Sequence, residues 1–187
     1  MAPPTKTSIA LANGRYFDHL APDPDAIDLD VIELGLQVPR FNNQTIRPIT
    51  VAEHSLRVWR FVRALGGGEV SQLRALLHDA PEALVPWGDC LRPGKTDEMR
   101  EVERHVMAAI WDALKLPSRE MMDGYGERGA IVTQADLAAC GLEALIWQRG
   151  AEDWAMDLLG EDWKRLLCEV YPRPDEDWRT EVERLLG

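Results

Sequence analysis

Apolar positions recur at helical spacing along most of the chain. Ile27, Val31, Ile32 and Leu36 share one face, which predicts a short helix over Asp28 to Leu36. Thr50 is suited to cap a second helix, with Glu53 three residues on completing a capping box. Its inward face carries Val51, His54, Ser55, Val58 and Val62, and Gly66-Gly67-Gly68 stops it after about Leu65. A third helix is expected from roughly Ser71 to Leu84. A fourth, Asp97 to Leu114, has Met99, Val102, Val106, Ala109, Ile110 and Ala113 as its apolar stripe. A fifth runs from about Thr133 to Trp147, and two or three more amphipathic helices fill about Asp153 to Leu186, with starts suggested by Asp153-Trp154, Asp162-Trp163 and Asp177-Trp178. These tryptophans are expected in the core or at a subunit interface.

The intervening stretches read differently. Residues 1 to about 25 are rich in Pro, Gly, Asn and Asp, and are expected to form an ordered arm because Tyr16, Phe17 and Leu20 need packing partners. A loop containing Pro39-Arg40-Phe41-Asn42-Asn43, a Pro- and Gly-dense loop from Val85 to Lys95, and a linker over 117 to 130 complete the outline. No useful length alternates with the period of a strand, so the expected fold class is all-α. At 187 residues the chain is expected to form one domain with a real core. Within it, 1–49 would be an arm, short helix and loop, 50–147 a helical centre, and 148–187 terminal helices.

Composition narrows the functional classes. The net charge of -11, from 32 acidic and 21 basic residues, argues against a polymeric nucleic acid held on a broad basic face. A small anion remains compatible, and much of the acidity serves solubility. Three widely spaced cysteines, Cys90, Cys140 and Cys168, suggest neither a disulfide framework nor a cysteine zinc site and fit a reducing cytoplasm. No signal peptide and no uninterrupted apolar run of about 18 residues is visible, so no membrane association is expected.

The chemistry concentrates in Leu76-Leu77-His78-Asp79-Ala80-Pro81-Glu82-Ala83. Adjacent His and Asp at the end of an apolar run are costly to bury unless satisfied, and a divalent metal would satisfy both. An ordinary helix end would also look like this, since Pro81 tends to kink or end a helix there. Glu82, four residues after His78, shares its helical face and suits a general acid or base. His54 is either a hydrogen-bonded core histidine or a ligand facing His78, and Asp136, in the apolar start of the fifth helix, is a dipole partner or a ligand. His19 and His105 read as surface residues.

Together, His54, the pair His78-Asp79 and Asp136, each on its own helix, resemble the H...HD...D pattern of the HD-domain metal-dependent phosphohydrolases, with Glu82 following the pair. Arg40-Phe41, Val51-Ala52-Glu53-His54-Ser55, Gly88-Asp89 with Arg92-Pro93 and Lys95, and Ala135-Asp136 extend the likeness over about two-thirds of the chain. The similar branch holds bacterial 5'-deoxynucleotidases and the small dATP triphosphohydrolases of phages that replace adenine with 2-aminoadenine. The resemblance implies an HD-domain helical bundle, cytoplasmic (host cytoplasm if phage-encoded), self-associating into a homo-oligomer, a hexamer being one form.

Residue by residue it implies that His54, His78, Asp79 and Asp136 ligate one divalent ion, whether Co, Mn, Zn, Mg or Fe. Glu82 would orient or deprotonate the attacking water, Arg40 hold sugar or phosphate, Phe41 pack on the nucleoside, Pro93 border the base and Lys95 offset phosphate charge. The expected reaction is dATP and water to deoxyadenosine and triphosphate, the alternatives being orthophosphate release from deoxynucleoside monophosphates or a non-catalytic nucleotide-binding module. Two departures bear on the pocket: two extra residues around Val85-Pro86-Trp87, and Thr133 where many relatives have Lys.

Overall fold

In the computed structural model, residues 5–116, 127–159, 166–171, 173 and 175–187 are described. They are mostly helical, which makes the fold all-α with one small sheet among the described residues. The chain divides into two compact units, residues 1–38 with 79–122 and residues 39–78 with 123–187.

The first unit opens with a hairpin, where no strand was expected. Strands β1 (Ser8–Ala10) and β2 (Tyr16–Asp18) pair antiparallel, Ile9 opposite Phe17. Three-residue strands are too short to show alternation, but the turn signal Asn13-Gly14 was present, and Gly14 adopts φ +78°, which favours glycine. Of the apolar residues expected to pack, Phe17 is buried, whereas Tyr16 and Leu20 are exposed. Helix α1 (Leu29–Gly35) starts at Asp28, whose carboxylate accepts from the Val31 N–H at 2.9 Å. Gly35 lies so close to the short 3-10 turn Ala80–Ala83 that a Cβ added there would meet Ala83 Cβ at 2.5 Å. That contact fixes the turn carrying Glu82. Helix α4 (Asp97–Ala113; the numbering continues after the two helices of the second unit) buries Val106, Ala109, Ile110 and Trp111, and His105 is exposed as expected. His19, expected at the surface, is half-buried with its ring edge-on to Trp87.

The second unit is built on α2 (Val51–Ala64). Thr50 accepts from the Glu53 N–H, but the Glu53 carboxylate turns to Arg47 and Arg57 instead of closing the expected capping box. Helix α3 (Glu69–Leu77) was expected to continue to Leu84 and instead breaks at His78-Asp79, where the backbone passes from φ/ψ -59°/-33° to -104°/12°. Pro81 explains the break, because its ring cannot coexist with a helical Leu77 carbonyl. Helix α5 (Glu127–Trp147) starts six residues before the expected Thr133, and the rest of the supposed linker, 117–126, lies outside the described residues. Helices α2, α3 and α5 pack on one another. At Gly141 an added Cβ would meet the Ala155 carbonyl at 2.9 Å, so the glycine lets α6 (Glu152–Leu158) sit against α5. Helix α7 (Trp178–Leu186) closes on α3 through the Trp178 indole N–H, which donates to the Leu76 carbonyl at 2.7 Å. Trp178 is thus core and Trp154 is partly exposed, while Trp163 lies outside the described residues.

By length and composition, Gly129–Trp147 within α5 is apolar enough to cross a membrane. Half of that stretch is buried inside the protein and it carries Asp136 and Glu143, the pattern of a core helix.

Candidate metal centre

In the second unit, three of the predicted residues converge. His54, one turn into α2 and fully buried, reaches the Asp136 Oδ1 on α5 through Nε2 at 3.1 Å. His78, at the end of α3, points its Nε2 to the same oxygen at 3.8 Å, and the two imidazole centroids stand 5.3 Å apart. Each ring is anchored at its far nitrogen. His78 Nδ1 donates to the Ala75 carbonyl at 2.7 Å, which turns Nε2 towards Asp136. His54 Nδ1 lies 3.0 Å from Glu143 Oε1.

One ligand atom from each of His54, His78 and Asp79 lies within 4.8 Å of the others, so this group could hold a metal ion. Imidazole nitrogens and carboxylate oxygens, with no thiolate among them, suit a first-row divalent ion or magnesium without selecting one. Burial pushes the Asp136 carboxyl up, but hydrogen bonds from His54 and His78 outweigh it and hold the group well below the usual carboxylate range.

Sequence reasoning missed the other half of this cluster. Glu143 is fully buried on α5, where its Oε1 takes Arg57 Nη1 at 2.7 Å and its Oε2 takes Arg40 Nε at 3.0 Å. Burial would raise its carboxyl, yet the charges of His54 and the two arginines bring it down to about 2. Arg57 and Arg60 are buried too, and they hold the C-terminal segment by donating to the carbonyls of Val170, Glu169 and Tyr171.

Arg40, expected to hold sugar or phosphate, is thus engaged with Glu143 and lies 3.6 Å from Cys140 Sγ. It begins a tight loop in which Phe41, Asn42 and Asn43 all have φ between 49° and 60°, unusual for non-glycine residues. The loop is held by the Arg40 N–H to the Ile49 carbonyl and by burial of Phe41 against Ala144 and Ala155, edge-on to Trp154. Phe41, expected on a nucleoside, therefore packs largely inside the unit. Burial raises the Cys140 thiol to about 12, so it is a packing group and not a nucleophile.

The first unit contains the remaining predicted residues. Glu82 is buried in the 3-10 turn, its N–H bonded to the Asp79 carbonyl, and Lys95 Nζ reaches its Oε1 at 3.1 Å. Glu103 takes the same ammonium at 2.9 Å and the Trp87 indole N–H at 2.9 Å. Burial would lower Lys95, but Glu82 and Glu103 raise it to about 12. Trp87, in the loop with the extra residues, thus orients Glu103. Pro93 is exposed, and the side chain of Arg92 lies outside the described residues. Thr133 is exposed on α5.

No family model matches the chain. An uncharacterized protein of Rhodobacter capsulatus is similar to it, 46% identical over 116 residues, and the match spans 58% of this chain and 58% of that protein's length.

Proposed function

We propose that the protein is a divalent-metal-dependent phosphohydrolase of the HD-domain kind that acts on a deoxynucleotide. The observation that supports this best is the pair of anchored histidines presenting Nε2 to one oxygen of Asp136, with the Asp79 carboxylate beside them. Two neutral imidazoles and two carboxylates would hold the ion, which when bound supplies a Lewis acid that screens phosphate charge and acidifies water. Glu82, three residues beyond Asp79 and paired with Lys95, takes the proton from the attacking water. With dATP, the water oxygen bonds to the α-phosphorus as the bond to the 5' oxygen breaks. That oxygen receives the proton, and deoxyadenosine and triphosphate leave.

Release of orthophosphate from deoxynucleoside monophosphates is the second reading, and the ion pairs favour it. Arg40 is paired with Glu143, and Lys95 with Glu82 and Glu103, so these cations are already balanced by protein carboxylates. A triphosphate calls for more positive partners than a monophosphate. A cytoplasmic setting, where free thiols persist and deoxynucleotides are available, belongs to the same proposal, as does self-association. Incubating the metal-loaded protein with each dNTP and each dNMP, and separating the products by chromatography, tests the reading. Triphosphate from dATP alone supports the first form, orthophosphate from several dNMPs supports the second, and no turnover of any nucleotide refutes both.

A further inference from the structure

His54 and His78 face the same point but are held by different means. His78 sits where α3 ends, and its Nδ1 donates to the carbonyl of Ala75, a backbone acceptor that cannot turn away. His54 lies inside α2, where backbone carbonyls are taken by helical hydrogen bonds, so a side chain must do the same work. Glu143 is two turns beyond Asp136 on α5, and the two acids grip opposite ends of one imidazole, Glu143 at Nδ1 (3.0 Å) and Asp136 at Nε2 (3.1 Å).

We propose that Glu143 is a positioning residue for His54, fixing the imidazole as the Nδ1–H tautomer and aiming Nε2 at the place shared with His78 and Asp136. The inference rests on the metal-site reading above and deepens it. Three features make Glu143 a rigid support. It is fully buried, its two oxygens are taken from separate sides by Arg57 and Arg40, and Arg57 is itself tied to the Val170 carbonyl at 2.8 Å and to Glu53 at 3.1 Å. A carboxylate so held cannot rotate without breaking several charge-assisted bonds. A support of this kind orients a ligating histidine and raises its basicity, and losing one typically weakens metal binding about 10- to 100-fold.

The test uses Zn²⁺ as probe, with the full chain freed of metal by a chelator. In the Zn²⁺-loaded wild type, ¹⁵N NMR of the histidine rings is expected to show the His54 proton on Nδ1 and the metal on Nε2. Glu143→Gln, folded by circular dichroism, is expected to bind Zn²⁺ roughly 10- to 100-fold more weakly and to lose the single tautomer at His54. If that variant fails to fold, the wild-type ring spectrum decides alone, because metal on His54 Nδ1 overturns the inference. Equal Zn²⁺ affinity in folded wild type and variant overturns it as well. Failure of the wild type to bind Zn²⁺, Mn²⁺ or Co²⁺ at all defeats the metal-site reading, and the inference falls with it.

Discussion

Two buried glutamates, one in each unit, hold cations in opposite styles. Glu143 is fully buried in the second unit and shares its oxygens among two arginines and a histidine. Glu82 shares one lysine with a second acid, Glu103, and both Lys95 and Glu103 keep some solvent exposure, 13% and 16% of their side chains. Guanidinium forks lock a carboxylate in place, whereas an ammonium is a point charge on a flexible stem that slides between acceptors. The first arrangement suits a support that must not move. The second suits a carboxylate that must give and take a proton.

The sharpest way to break this comparison is kinetic. Glu82→Gln is expected to lower kcat by roughly 10²- to 10⁴-fold with metal affinity unchanged, measured by steady-state assay beside a metal titration. A variant that turns over normally removes Glu82 from the chemistry. Stability separates the two regions next. Arg57→Ala leaves Glu143 short of a buried partner and should cost about 3–5 kcal/mol in denaturant unfolding, because the loss falls on a desolvated charge. Lys95→Met should cost less, roughly 1–3 kcal/mol, since Lys95 and Glu103 keep contact with solvent. Equal losses would erase the distinction.

The pH dependence of unfolding gives a third view. Glu143 titrates lower in the folded protein than when unfolded, so its stabilisation is complete above the ordinary value of 4.5 and is lost as pH falls through about 2. Lys95 titrates higher, so its contribution is complete below 10.5 and is lost as pH rises through about 12. Thermal scans should show the acid limb flattened in Glu143→Gln and the alkaline limb flattened in Lys95→Met. Gly35→Ala is expected to cost about 1–3 kcal/mol through the crowded Ala83 contact. It should also lower turnover by shifting the turn that carries Glu82, which a backbone with room to spare would not do.

What the sequence made legible follows from how local each signal is. Thr50 and the glycine run fixed the limits of α2, and the inward placement of His54 followed from its apolar neighbours, because a helix face is set within a few residues. Pro81 signalled a break, but where α3 actually ends, at His78, depended on a proline effect weighed against a continuing apolar pattern. Glu143 escaped notice because a single glutamate in a helix is usually solvated. The available signal was its isolation among Ala138, Ala139, Leu142 and Ala144, seven residues after Asp136 and so on the same face. Arg57 and Arg60 escaped notice for a related reason, since the carbonyls they hold lie over a hundred residues away. The partners of Arg40 and Lys95 are likewise products of tertiary packing, which no local pattern encodes.

The most direct measurement is calorimetric titration of Mn²⁺ or Co²⁺ into the chelator-treated protein, beside His78→Ala and Asp136→Ala variants shown to be folded. One ion is expected to bind per chain in the wild type, with binding lost or weakened by orders of magnitude in both variants. A wild type that binds no divalent ion, or variants that bind as tightly as the wild type, would contradict that expectation.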